Sequence, residues 1–188
     1  MLVLVLVPLS IFTALAVPVA LGASVPGDEP IYRFLHEHAL LPGPMADLLA
    51  SREIELVGAC LIAAVLLGLV FFGRIRATVL LVTALLPLAL IPVLKGLFER
   101  AAPQSGPTNA GAFPSGHATA SMALAAVAVT YTWPTRYRWP ALLGVGALVA
   151  AVGLAAVIEG GHWPSDVVAG WALALGWVSV VYLAAMRV

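Results

Sequence analysis

Six apolar runs, at residues 2–22, 55–73, 77–98, 116–133, 140–158 and 167–186, take up most of the chain. Each is close to the roughly 20 apolar residues that an α-helix needs to cross a bilayer. Inside lipid every backbone N–H and C=O must be paired, and barrel strands would alternate polar and apolar positions, which these runs do not. The chain therefore reads as all-α, a polytopic membrane protein built as a six-transmembrane-helix bundle. Composition agrees: 62% of residues are hydrophobic and 10% are charged, against about 25% charged in a soluble domain. A formal net charge of zero excludes nucleic acid, whose partners carry a basic patch or stripe. The single cysteine, Cys60, lies inside the second run. It excludes an intrachain disulfide or a cysteine-based metal site and is expected to pack as a small apolar residue.

The charges are sorted between the two ends of the runs. Arg74 and Arg76 separate runs two and three, Arg136 and Arg138 separate runs four and five, and Arg187 follows run six. All nine acidic residues fall in the other connections: Asp28, Glu29, Glu37, Asp47, Glu53 and Glu55, then Glu99, then Glu159 and Asp166. By the positive-inside rule the arginine turns are cytoplasmic, which puts both termini in the cytoplasm. The expected location is the cell (inner) membrane, with the acidic connections on the extracytoplasmic face. The alternative for the first run is a signal segment, although it has no basic stretch before it.

The longest polar stretch, about 24–53, contains a helix-start pattern at Asp28 and Pro30, followed by Ile31, Phe34 and Leu35 at helical spacing. It predicts a short helix lying on the outer membrane surface. His36 and His38, two apart, point to different helix faces, so they are expected to be ordinary surface residues and not metal ligands. Residues 1–53 thus form a first membrane helix with an extracytoplasmic interfacial segment, and 54–188 form the helical core of a single domain. No metal or other cofactor is implied, and nothing in the sequence sets an oligomeric state.

Ionisable residues at span ends are functional candidates because burying them is expensive. Lys95 and Arg100 close the third span, Ser115 and His117 open the fourth, and His162 and Asp166 join the fifth to the sixth. The orientation above brings these three groups to one depth on the outer face, as a site at the mouth of a helix bundle requires. Ser115 is a helix N-cap, the first-turn N–H groups beyond it suit an anion, and Gly116 leaves the backbone open to close approach. A plain capped helix accounts for Ser115 and Gly116 but gives no reason for His117. A carboxylate four residues after His162 can hold one ring nitrogen and leave the other as nucleophile or base; equally, Asp166 can simply cap the last span. Lys95 and Arg100 suit a phosphate group, and snorkelling at a span end is their simpler role.

Together, and in this order, Lys95, Pro114-Ser115-Gly116-His117 and His162 with Asp166 resemble the phosphatidic acid phosphatase type 2 family of membrane lipid-phosphate phosphatases. The stretch from His162 to Trp171 looks like that family's approach to its last helix. The likeness covers about residues 54–188. It departs from the family pattern at two places: Ala102-Pro103 stands where the family has Arg-Pro, and Ala155-Ala156 where it has Ser-Arg. Losing one donor to a developing charge costs about 100- to 1000-fold in rate, so a slow phosphatase is expected on a dianionic phosphate.

The resemblance implies roles by position. His162 attacks phosphorus to form a phosphohistidine, Asp166 orients it, and His117 protonates the leaving oxygen and then activates water. Lys95, Ser115 and Gly116 hold the phosphate oxygens, with Arg100 a partial substitute for the absent arginines. The implied substrate is a lipid phosphate or diphosphate of the phosphatidate, phosphatidylglycerol phosphate or polyprenyl type, drawn from the surrounding membrane lipids. Two alternatives stand beside it: a phosphodiester head-group transferase or lipase of the His-His-Asp kind, and a non-catalytic relative that binds anionic lipids.

Overall fold

The computed structural model describes residues 3–38, 43–44, 74–104, 111–132 and 136–185. Six helices run through them: α1 Val3–Ala20, α2 Asp28–His38, α3 Arg74–Phe98, α4 Gly116–Thr132, α5 Arg138–Ile158 and α6 Pro164–Ala185. Five of the six apolar runs are helical, as α1, α3, α4, α5 and α6. The span expected at 55–73, and Cys60 with it, lies outside the described residues. The helix expected from Asp28 is α2.

Val3–Ala20, Arg138–Ile158 and Pro164–Ala184 are long and apolar enough to cross a membrane, with mean hydropathies of 2.5, 2.6 and 1.9. At 1.5 Å per residue they reach about 27–32 Å, the thickness of a hydrocarbon core. The protein is an all-α membrane protein. The bundle helices other than α2 are apolar all round, so no hydrophobic drive pulls one against another in lipid, and close packing must hold the bundle instead. The buried positions are accordingly small. Ala118, Ala155, Ala169 and Ala174 are fully buried, while Val3, Val93, Leu97 and Leu143 face outward.

The sixth helix is the hub, in contact with α1, α4 and α3, while α4 also packs on α5 and α3. Gly170 permits the closest of these approaches. A Cβ there would lie 2.6 Å from the Ser115 carbonyl oxygen and 2.9 Å from Thr119 Oγ1. We expect Gly170→Ala to cost about 1–3 kcal/mol by forcing α4 off α6. Thermal unfolding in detergent measures this, with Gly144→Ala, which meets nothing within 4 Å, as the neutral control.

Two features bring the chain's distant parts to one end of this bundle. Phe113, fully buried, packs between Phe12 of α1 (5.9 Å between centroids, tilted) and Phe98 of α3 (4.8 Å, edge-on), fixing the strap that leads into α4. At the end of α5 the chain turns through Gly160 at φ +71°, whose N–H donates to the Val157 carbonyl (3.0 Å), a left-handed helix stop that favours glycine. The α2 helix lies against the ends of α5 and α6. His36 Nδ1 donates to the Ile158 carbonyl (2.8 Å), and Tyr32 meets Trp163 edge-on at 5.5 Å. One face of α2 is thus a protein contact, while Ile31 and Phe34 remain exposed.

Candidate active site

The site forms where the starts of α4 and α6 meet. Ser115 N–H donates to the Asp166 carbonyl (3.0 Å), a single backbone bond that clamps the Pro114–His117 motif to the His162–Asp166 turn. Ser115 also caps α4: its Oγ accepts from Ala118 N–H (3.4 Å), and its carbonyl accepts from Thr119 N–H (3.1 Å) and Oγ1 (2.8 Å). The clamp leaves the rings of His117 and His162 side by side in an edge-on arrangement, 5.9 Å between centroids and 72° between planes.

The orientation of His162 is set by the strap before α4. Its Nδ1 lies 2.8 Å from the Ala112 carbonyl. A carbonyl only accepts, so Nδ1 carries a proton, and in the neutral ring it is Nε2 that holds the lone pair. The strap is in turn held by the Arg100 carbonyl, which accepts from both Gly111 and Ala112 N–H (2.9 Å each). Asp166 Oδ2 is 3.8 Å from His162 Nδ1, beyond hydrogen-bond reach. That oxygen instead accepts from Trp163 N–H (2.8 Å), and Oδ1 accepts from Arg100 (2.5 Å). Of the two readings of Asp166, the cap is therefore present as a hydrogen bond and the pairing with the ring is an electrostatic contact.

Arg100 lies in a largely buried ion network. Its guanidinium donates to Asp166 Oδ1, to Ser165 Oγ (2.7 Å) and to Asp28 Oδ2 (2.5 Å), and it lies 5.7 Å from the Trp163 ring. Two carboxylates thus share its charge, leaving less of it for a phosphate than a motif arginine would offer. Lys95, on the last turn of α3, runs its stem past Gly111 and acts electrostatically on His117. Ala156, where the family pattern has arginine, is buried with Ala118, Val157 and Val167, and Tyr32 and Leu35 of α2 pack against that cluster. Ala102 is only half-buried.

The structure thus gathers His117, His162, Asp166, Ser115, Gly116 and Arg100 at one end, with Lys95 in electrostatic range. His36 and His38 are engaged with the backbone, at Ile158 and Phe34. No cluster of three or more metal-ligating side chains occurs among the described residues. Two participants escape the sequence reading. Ala112 contributes only a carbonyl, which no side-chain pattern reveals. Asp28 reads as a helix start, and nothing local separates it from Glu29, although it is buried against Ser165 and Arg100 while Glu29 pairs with exposed Arg33.

No curated protein sequence matches the chain. Among solved structures, it is similar to the crystal structure of a transmembrane PAP2-type phosphatidylglycerolphosphate phosphatase from Bacillus subtilis, with a TM-score of 0.75 over 96% of each chain at 18% identity. That level of identity speaks to the fold. The sequence itself matches the family model of the PAP2 superfamily over residues 76–188, which spans the third, fourth, fifth and sixth helices and every histidine and motif residue of the site. On that match, which covers most of its length, the chain belongs to the PAP2 superfamily.

Proposed function

We propose that this protein is an integral membrane phosphatase that releases phosphate from a lipid phosphate or diphosphate through a phosphohistidine at His162. The observation that carries the reading is the pair of adjacent histidines, one of which has its tautomer fixed by Ala112. Membership of a superfamily of lipid-phosphate phosphatases supports the same reaction class.

In this mechanism His162 Nε2 attacks phosphorus and the phosphorus–oxygen bond to the lipid breaks. His117 gives its proton to the departing lipid oxygen, then takes one from the water that attacks the phosphohistidine, so inorganic phosphate leaves and both rings return to their starting states. Asp166 steadies the positive charge that grows on the His162 ring, acting across 3.8 Å. Lys95, the Ser115 hydroxyl and the Gly116 N–H hold the phosphate oxygens at the start of α4, where the helix dipole favours negative charge. Arg100 adds positive potential from within its network. The segregation of arginines and acids in the sequence supports a site at the extracytoplasmic face of the inner membrane, with both termini in the cytoplasm. The substrate then presents its phosphate at that interface while its chains stay in the bilayer.

One observation favours a second reading. Arg100 is held by two carboxylates, so the phosphate cradle is poor in cations and better matched to the single charge of a phosphodiester, as head-group transfer requires. A panel of phosphatidate, phosphatidylglycerol phosphate, polyprenyl diphosphate and a phosphodiester lipid separates the two. We expect inorganic phosphate from the first three at rates that vanish in His162→Ala. Release of a phosphorylated head group from the diester, with no inorganic phosphate from the others, would replace the first reading with the second.

A further inference from the structure

Asp28 lies outside the segment matched by the family model, yet it is buried against the turn that carries His162 and Asp166. Its carboxylate makes three hydrogen bonds. Oδ1 accepts from Ser165 N–H (2.9 Å), and Oδ2 accepts from Ser165 Oγ (2.6 Å) and from Arg100 (2.5 Å).

The need for such a partner is visible in the start of α6. A helix leaves its first N–H groups without intrahelical acceptors, and a Ser, Thr, Asp or Asn just before it usually supplies one. Here that position is Trp163, whose side chain has no oxygen, and Pro164 follows it. Asp166 provides one half of a capping box by accepting from Trp163 N–H. The N–H of Ser165, a first-turn donor that an N-cap side chain would serve, is accepted instead by Asp28, 137 residues away in sequence. The same carboxylate faces Asp166 across the Arg100 guanidinium, so Arg100 is drawn from both sides.

We propose that Asp28 is a positioning residue of the active site, capping α6 from another helix and holding Arg100 between two carboxylates so that the His162 turn stays aligned with His117. This role rests on the phosphatase reading for its effect on rate, while its effect on the turn does not. Without Asp28, Ser165 N–H loses its acceptor and Arg100 collapses onto Asp166, which shifts the residue next to the nucleophile. A misplacement of about 1 Å can cost about 100-fold in rate.

The test compares full-length wild type, Asp28→Ala, Asp28→Asn and His162→Ala in detergent, by steady-state phosphate release and by amide exchange. Asp28→Ala is expected to lower kcat about 100-fold with KM within about threefold, and to speed exchange at residues 163–166 at least tenfold relative to the middle of α6. Asparagine keeps an oxygen for Ser165 N–H, so Asp28→Asn is expected to recover part of kcat and most of the protection. If Asp28→Ala does not fold, Asp28→Asn decides on its own: a fall in kcat of more than threefold at unchanged KM supports the role. A kcat for either variant within threefold of wild type, unchanged exchange at Trp163, Ser165 and Asp166 in Asp28→Ala, or an asparagine variant no better than alanine overturns it. Equal phosphate release from wild type and His162→Ala defeats the phosphatase reading instead, and the exchange measurement then still decides the role of Asp28.

Discussion

Replacing His162 with alanine is expected to lower phosphate release from a lipid phosphate by at least about 10⁴-fold, because residues acting as a nucleophilic unit lose nearly the whole rate when the nucleophile goes. His117→Ala, which removes the proton donor but leaves the attacking ring, is expected to cost about 10²- to 10⁴-fold. The His162 change has a structural side effect that must be separated from the chemical one. Its ring donates to the Ala112 carbonyl, and stranding a buried acceptor costs about 1–3 kcal/mol. A melting curve in detergent reads that loss, and His162→Gln offers a side-chain donor toward Ala112 with no ring nitrogen to attack. If the glutamine variant melts like wild type yet releases no phosphate, the loss is chemical. Activity within tenfold of wild type in either variant would sink the phosphohistidine mechanism.

The two alanines that replace motif arginines should respond in opposite ways when arginine is introduced. Ala102 is half-buried in the turn after α3, so a longer side chain there displaces less of the protein than one at Ala156. A restored donor to a developing charge is worth up to about 100- to 1000-fold, so Ala102→Arg is expected to raise kcat/KM on a dianionic monoester by about 10- to 100-fold, and less on a diester. Ala156 is 4% exposed, closed over by Ala118, Val157, Val167 and the α2 residues Tyr32 and Leu35. An arginine there must bury its charge or push α2 away, and overpacking alone costs about 1–3 kcal/mol. Ala156→Arg is expected to lower the melting temperature and the activity together. Should Ala102→Arg leave the rate unchanged, a shortage of positive charge is not what limits this site. Should Ala156→Arg fold normally and gain activity, α2 is not packed as described.

These expectations mark where the sequence is legible and where it is not. Span positions are legible because lipid imposes one rule, internal pairing of the backbone, over each apolar run. Five of the expected helices are found within a few residues of their predicted ends, and α2 starts at Asp28 as its start pattern suggests. The gathering of Ser115, His117, His162 and Asp166 is legible too, since each lies at a span end and on the same side of the chain's charge alternation. Their hydrogen bonds are not. A spacing of four residues suggests that His162 and Asp166 pair directly, but Pro164 starts α6 between them. The unmet N–H of Trp163 then takes the Asp166 oxygen, leaving the ring to Ala112. Arg100 reads as a free cation at a span end, and only the packing of α2 across the end of the bundle brings Asp28 to it.

The Asp28–Arg100–Ser165 contact also bears on how this protein can change over generations. Losing Arg100 strands the buried Asp28 carboxylate close to that of Asp166, at a cost of about 3–5 kcal/mol, whereas losing Asp28 leaves Arg100 paired with Asp166. Arg100 is therefore expected to be kept wherever Asp28 is kept among relatives, while the reverse need not hold. A chimera that joins an α1–α2 half carrying Asp28 to a 76–188 half lacking Arg100 should be the unstable combination, and the opposite pairing the tolerated one.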